Sequence, residues 1–188
     1  MKLLINEFIK DYKKKTTWLY FLLSFGIILL NSYFTKRQFE DGIDAVKILS
    51  GITIVSAALA MVFTLIMLAN NLSQEYSKGT IKFLYTRPKS RSAILTAKIV
   101  LAFINYIIFL VVGTIFDFVT KNYVFFDGKV GLNYLNDTIK EGYFGRTVVR
   151  QLIITNLADL AVFIFFVAMV VLVCVVFKTQ ILSLVLVM

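Results

Sequence analysis

Uncharged runs alternate with polar segments along this chain, and the lengths of the runs predict its elements. Residues 16–35, 48–74, 99–116 and 160–177 contain no charged side chain. A helix rises 1.5 Å per residue, so about 20 residues reach across the ~30 Å hydrocarbon core of a bilayer. The runs predict transmembrane helices near 16–35, 48–74, 92–116 and 150–177, the last with a start as early as Thr147. Residues 48–74 amount to ~40 Å of helix, more than the core, which predicts tilt or protrusion. The protruding part is expected on the cytoplasmic side, through Asn70, Asn71 and Ser73. Residues 181–188 are apolar but too few to cross, so the chain is expected to stop inside an incomplete fifth span near 180–188.

Ahead of the first span, Leu4, Ile5, Phe8, Ile9 and Tyr12 recur at helical spacing, with Lys2, Asn6, Glu7, Lys10 and Lys13 turned elsewhere. That division predicts an amphipathic interfacial helix over residues 1–15. Lys13, Lys14 and Lys15 mark the membrane edge, and Trp18, Tyr20 and Tyr33 fall where interfacial aromatics sit. The first run is followed by Asn31-Ser32-Tyr33-Phe34, with no small-x-small cleavage site, so it reads as a span rather than a signal peptide. Ser56, Ala57 and Ala60 make a small-residue face suited to close helix packing within the bundle, or alternatively to a dimer interface. Asn105, polar in mid-span, is expected to hydrogen-bond a neighbouring helix.

Composition agrees with the pattern. The chain is 59% hydrophobic and 16% charged, with a mean hydropathy of +0.83; a soluble domain is about a quarter charged. The fold class is therefore an all-α polytopic membrane protein: an interfacial helix plus a single transmembrane domain over 16–188. The net charge of +9 is better spent on holding loops inside than on nucleic acid, which is not among the expected partners. With the N-terminus in the cytoplasm, the inner segments (1–15, 75–98 and Lys178) carry 12 cations and 3 anions, and the outer ones (36–47 and 117–159) carry 8 of each. This bias favours a multi-pass protein with its N-terminus inside, a cytoplasmic loop at 75–91 and an extracellular loop at 117–150.

Several chemistries are closed off. The chain has no histidine and one cysteine, Cys174, which removes Ser-His and Cys-His nucleophile pairs, His-ligated metal sites and internal disulfides. No phosphate-cradling G-x-x-x-x-G-K-[ST] loop is present. Ion-coupled transport is weakened rather than closed off: the uncharged runs supply none of the mid-membrane ionisable groups it usually uses, but backbone and hydroxyl oxygens can hold Na⁺. No catalytic, cofactor-binding or metal residues are therefore expected, and the chain is not expected to be an enzyme.

The chemistry concentrates in residues 70–98. This hinge holds Lys78, Lys82, Arg87, Lys89, Arg91 and Lys98 against a single anion, Glu75, and contains the only proline, Pro88. Gly79 can end the preceding helix in a left-handed conformation. Thr80 can cap a short helix over 81–86 that stops before Pro88. That helix would lie across the membrane face and offer Phe83, Leu84 and Tyr85 to a partner. Glu75 is expected to pair with Arg87 or Arg91, or with the partner.

These residues resemble the cytoplasmic loop of ABC-2 type permeases, the membrane subunits of many bacterial ABC exporters. That family tends to read Ser-x-Glu, Gly-Thr, a leucine, Pro-x-Ser-Arg, a leucine and a lysine. Here Ser73, Glu75, Gly79, Thr80, Leu84, Pro88, Ser90, Arg91, Leu95 and Lys98 match in order over 26 residues. The chain looks most like short permeases with separate ATPase chains, such as those for bacitracin resistance, lantibiotic immunity and amphipathic-peptide export. The resemblance implies six spans in the full protein and a loop that sits in a groove of the ATPase. Its coupling residues would be Glu75, Lys78, Gly79, Thr80, Lys82, Phe83, Leu84, Arg87, Pro88 and Arg91. It also implies two ATPase subunits that carry the ATP and Mg, a second permease copy or sister permease, and a hydrophobic or amphipathic cargo such as a peptide or antimicrobial. The implied location is the cytoplasmic membrane, and the Lys, Ile, Asn and Phe content resembles that of low-GC Gram-positive bacteria. The alternative function is a non-transporting anchor or regulator that binds a cytoplasmic partner through the same loop.

Overall fold

The computed structural model of the chain describes residues 2–38, 52–77, 91–126 and 147–177. They form five helices: α1 (Lys2–Tyr12), α2 (Lys15–Gln38), α3 (Ile52–Ser77), α4 (Arg91–Phe126) and α5 (Val148–Phe177). Helices α2 to α5 are each long and apolar enough to cross a membrane. Their outward faces carry large apolar side chains: Leu22 is 67% exposed, Ile115 60% and Leu172 60%. Water would penalise such a surface, whereas lipid tails solvate it and leave the backbone to satisfy itself within each helix. The chain is a multi-pass helical membrane protein. The incomplete fifth span read from residues 180–188 lies outside the described residues.

The break between α1 and α2 is built from side chains. A helix C-terminus leaves its last carbonyls without intrahelical donors. Thr17 Oγ1 donates to the Asp11 carbonyl at 2.6 Å, and Trp18 Nε1 donates to the Tyr12 carbonyl at 3.1 Å. The first turn of α2 thus closes the last turn of α1, and the chain changes direction within Lys13 and Lys14.

The chain divides into two compact units. The first comprises Met1–Tyr20, Met61–Ile108 and Val162–Met188; the second comprises Phe21–Ala60 and Phe109–Ala161. In the first, Phe63, Met67, Leu68 and Leu72 of α3, Leu101, Ala102 and Tyr106 of α4, and Phe163, Val167 and Val170 of α5 are buried. The Tyr106 ring stacks on Phe163 at 4.3 Å and Phe103 meets Phe163 edge-on at 5.4 Å. Cys174 is buried and free, and fills space as a small apolar residue. Asn105 is 2% exposed, but its Oδ1 meets no donor among the described residues, so that atom does not make the interhelical bond expected from the sequence.

In the second unit, Phe21 stacks on Phe109 at 3.9 Å and Phe25 packs on Phe116 at 4.4 Å. Ser56, Ala57 and Ala60 are all buried. Ser56 Oγ lies 3.3 Å from Thr114 Oγ1, and a Cβ placed on Gly113 would sit 3.3 Å from the Ser56 Cβ. The small-residue face of α3 therefore lets α4 approach closely, as small residues do between membrane helices. A prediction follows from the contrast between two glycines. Gly113→Leu is expected to cost about 1–3 kcal/mol through overpacking against Ser56. Gly26→Ala, whose Cβ would meet nothing within 4 Å, is expected to be neutral or slightly stabilising, because alanine favours a helix over glycine by about 1 kcal/mol. Thermal unfolding of the two variants in one detergent checks the difference.

The same unit corrects the extent of a loop. Residues 117–126 belong to α4, not to the extracellular loop read from the sequence at 117–150. Asp117 and Lys121, one turn apart on α4, are buried and bonded to each other at 3.1 Å. Lys36, in the last turn of α2, donates to the Val124 carbonyl at 2.6 Å and so satisfies an orphan acceptor at the end of α4.

Candidate functional site

The hinge motif has its two roots on described helices. Glu75 lies in the last turn of α3 and Arg91 opens α4. Lys78, Gly79, Thr80, Lys82, Phe83, Leu84, Arg87 and Pro88, read as the remaining coupling residues, lie outside the described residues. What the structure adds is the base on which this segment stands.

That base is a polar knot among α1, α3, α4 and the turn after α1, all within the first unit. Asp11 is 1% exposed. Asn71 Nδ2 donates to its Oδ2 at 2.7 Å, and Lys14 Nζ donates to its Oδ1 at 3.0 Å. Lys14 Nζ also donates to Asn71 Oδ1 at 2.5 Å. A carboxylate, an amide and an ammonium thus close a three-membered ring of hydrogen bonds. Lys98, on α4, joins from the other side: its Nζ donates to the Asn71 carbonyl at 3.0 Å and pairs with Glu7 Oε2 at 3.6 Å. Glu7 in turn lies 3.8 Å from Lys10 Nζ on the outside of α1.

The burial here differs from what the sequence suggests. The sequence groups Lys98 with the cations of a basic loop, yet it is 2% exposed and its charge is engaged at the loop's base. Asn71 and Ser73, expected to protrude, are also buried. For Asn71 the physical reason is α1, whose Asp11 takes its side chain. A carboxylate buried without partners would be costly; here each of its oxygens has a charged or amide donor. Tyr12, beside Asp11, has its hydroxyl pushed up to about 12, first by burial and then by the Asp11 charge. It therefore stays neutral.

A small pocket of about 110 Å³ opens beside the knot, lined by Asp11, Lys14, Thr17, Tyr20, Asn70 and Asn71 among others. It is large enough to hold water. Asn70 Nδ2 reaches Tyr20 Oη at 3.4 Å on its wall.

Sequence reasoning missed the knot because its partners are far apart in the chain. A signal did exist: Lys98 falls on the same stripe of α4 as Leu101, Ala102 and Asn105. A cation on a helix's buried stripe requires a partner.

Four membrane-length helices and an N-terminal helix tied to α3 and α4 define a polytopic helical membrane protein. The sequence matches the family model described as ABC-2 family transporter protein over residues 3–188. The chain belongs to that family and is an ABC-2 type permease, the membrane component of an ABC transporter. No curated protein and no solved structure gives a significant match.

Proposed function

We propose that this permease couples separate ATPase chains, through residues 75–91, to export of a hydrophobic or amphipathic cargo such as a peptide or antimicrobial. In this reading the N-terminus and the 75–91 loop lie in the cytoplasm, where the excess of lysine and arginine belongs. ATP and Mg are bound by two ATPase subunits and not by this chain. A second permease, identical or a sister, completes the pathway across the cytoplasmic membrane.

One observation carries the reading. The two helix ends that bear the motif are tied to each other by Lys98 and Asn71, 27 residues apart in sequence. A loop that merely attracted anionic headgroups would need charge but no fixed base. A loop that transmits force from an ATPase needs both. The four spans and the family membership support the transport role, and the apolar outer faces support only residence in lipid.

The test is co-purification of the full-length chain with the ATPase encoded beside it, for the wild type, Glu75→Ala and Gly79→Pro. Both variants are expected to lose at least about tenfold in ATPase retained, equivalent to 1.4 kcal/mol of binding, while inserting normally. Unchanged retention in both would refute the coupling loop. Cargo-stimulated ATP hydrolysis by the reconstituted pair then separates a transporter from an anchor that binds the ATPase without moving anything.

A further inference from the structure

The polar knot involves none of the ten residues read as contacting the ATPase, yet it joins three helices at the base of their loop. We propose that Asp11 and Lys98 are positioning residues. Together they lock α1 to both roots of the 75–91 segment, so that α1 and the ends of α3 and α4 move as one body during the transport cycle. The inference rests on the coupling role proposed above and adds to it a mechanical part, the N-terminal helix.

The geometry points to positioning rather than simple adhesion. Each of the three helices is held by a directional bond to another. Asp11 of α1 takes the side chain of Asn71 on α3 at 2.7 Å. Lys98 of α4 takes the main chain of the same Asn71 at 3.0 Å. Glu7, one turn before Asp11 on α1, completes the circuit to Lys98 at 3.6 Å. Asn71 is thus gripped at its side chain from one helix and at its backbone from another. Contacts between apolar side chains allow helices to slide in small steps, whereas hydrogen bonds to a buried carboxylate hold one register.

The energetic argument runs the same way. Buried ion pairs are poor sources of stability, since well-packed apolar side chains of similar volume hold a fold as well or better; fixing register is their best-attested use. Both carboxylates are matched here, Asp11 by Lys14 and Glu7 by Lys98, with the exposed Lys10 reaching Glu7 from outside. Such a set carries a displacement of one helix end to the others without leaving a charge uncompensated.

The test uses the full chain in nanodiscs with its ATPase, on a Cys174→Ser background. Spin labels at Ile9 of α1 and Val100 of α4, both exposed, report the distance between the two helices. The variants are Asp11→Ala, Lys98→Met and the exchange Asp11→Asn with Asn71→Asp, which restores a carboxylate–amide pair. The wild type is expected to give one narrow distance that nucleotide does not broaden, and the two single variants a broad one. Turnover of ATP by the complex should fall at least about fivefold in kcat with KM and ATPase retention unchanged. The exchange variant should recover both the narrow distance and the turnover.

A narrow distance in every variant would overturn the proposal. So would loss of ATPase retention in step with kcat without recovery by exchange, because the knot would then only be holding the fold together. If the wild type retains no ATPase, the coupling reading itself falls, and the label distances still decide whether the knot locks α1 to α4.

Discussion

Replacing Lys121 by methionine is expected to destabilise the protein by about 3–5 kcal/mol, the cost of breaking a buried ion pair by removing one partner. The Lys121 ammonium lies 3.1 Å from Asp117, and their side chains are 6% and 1% exposed. Methionine keeps the length and most of the volume of lysine, so little packing is lost. What changes is that a carboxylate remains inside α4's buried face without its cation. For a chain of this size each kcal/mol corresponds to about 2–4 °C, so the melting temperature in detergent should fall by roughly 10 °C. The double variant Asp117→Leu with Lys121→Met removes both charges and is expected to recover most of the loss, because apolar pairs replace buried ion pairs at little or no cost. Lys121 makes further contacts of its own, and the full double-mutant cycle isolates the pair from them. A single variant as stable as the wild type would show that the Asp117 carboxyl is either solvated in the membrane protein or neutralised by a proton once Lys121 is gone.

The same pair explains where the sequence was legible and where it was not. The four spans follow from run length, because lipid excludes unsatisfied polar groups so strongly that long uncharged runs have few other uses. The Ser56, Ala57 and Ala60 face was readable for a similar reason, since small residues grouped on one side of an apolar helix predict close approach. The end of α4 was not readable. Counting charges one at a time puts the boundary at Asp117, but Asp117 and Lys121 neutralise each other across one turn, and the helix continues to Phe126. Asn71 and Lys98 escape sequence reading for a different reason. Each borders a basic loop and so reads as solvated, while their partners on α1 are far off in sequence: Asp11 lies 60 residues from Asn71, and Glu7 pairs with Lys98. Pairing at that range leaves no local pattern. Of the candidate site, the motif at 75–91 is legible as sequence, and the base that holds it only as structure.

Helix α5 provides a sharp test of which faces turn inward. Phe163 is 0% exposed, with Tyr106 stacked on it at 4.3 Å and Phe103 at its edge at 5.4 Å. Leu172, on the same helix, is 60% exposed. In a water-soluble core, Phe→Ala costs 3–5 kcal/mol, part of which is transfer of the ring out of water. Within a bilayer that part vanishes, since the ring sits among hydrocarbon whether or not the helices are packed. The cavity and the two ring contacts remain, the latter worth about 0.5–1.5 kcal/mol each. Phe163→Ala is therefore expected at the lower end, about 3 kcal/mol. Leu172→Ala is expected to stay within about 0.5 kcal/mol, because lipid chains fill the space it leaves. Unfolding of both variants under identical detergent conditions measures the gap. Equal losses would mean that Leu172 is covered by protein in the membrane, for which a second copy of the chain or a sister permease is the natural source. A gap of about 2 kcal/mol or more, well outside ordinary surface effects, would assign that part of α5 to lipid and place any permease–permease contact on another face.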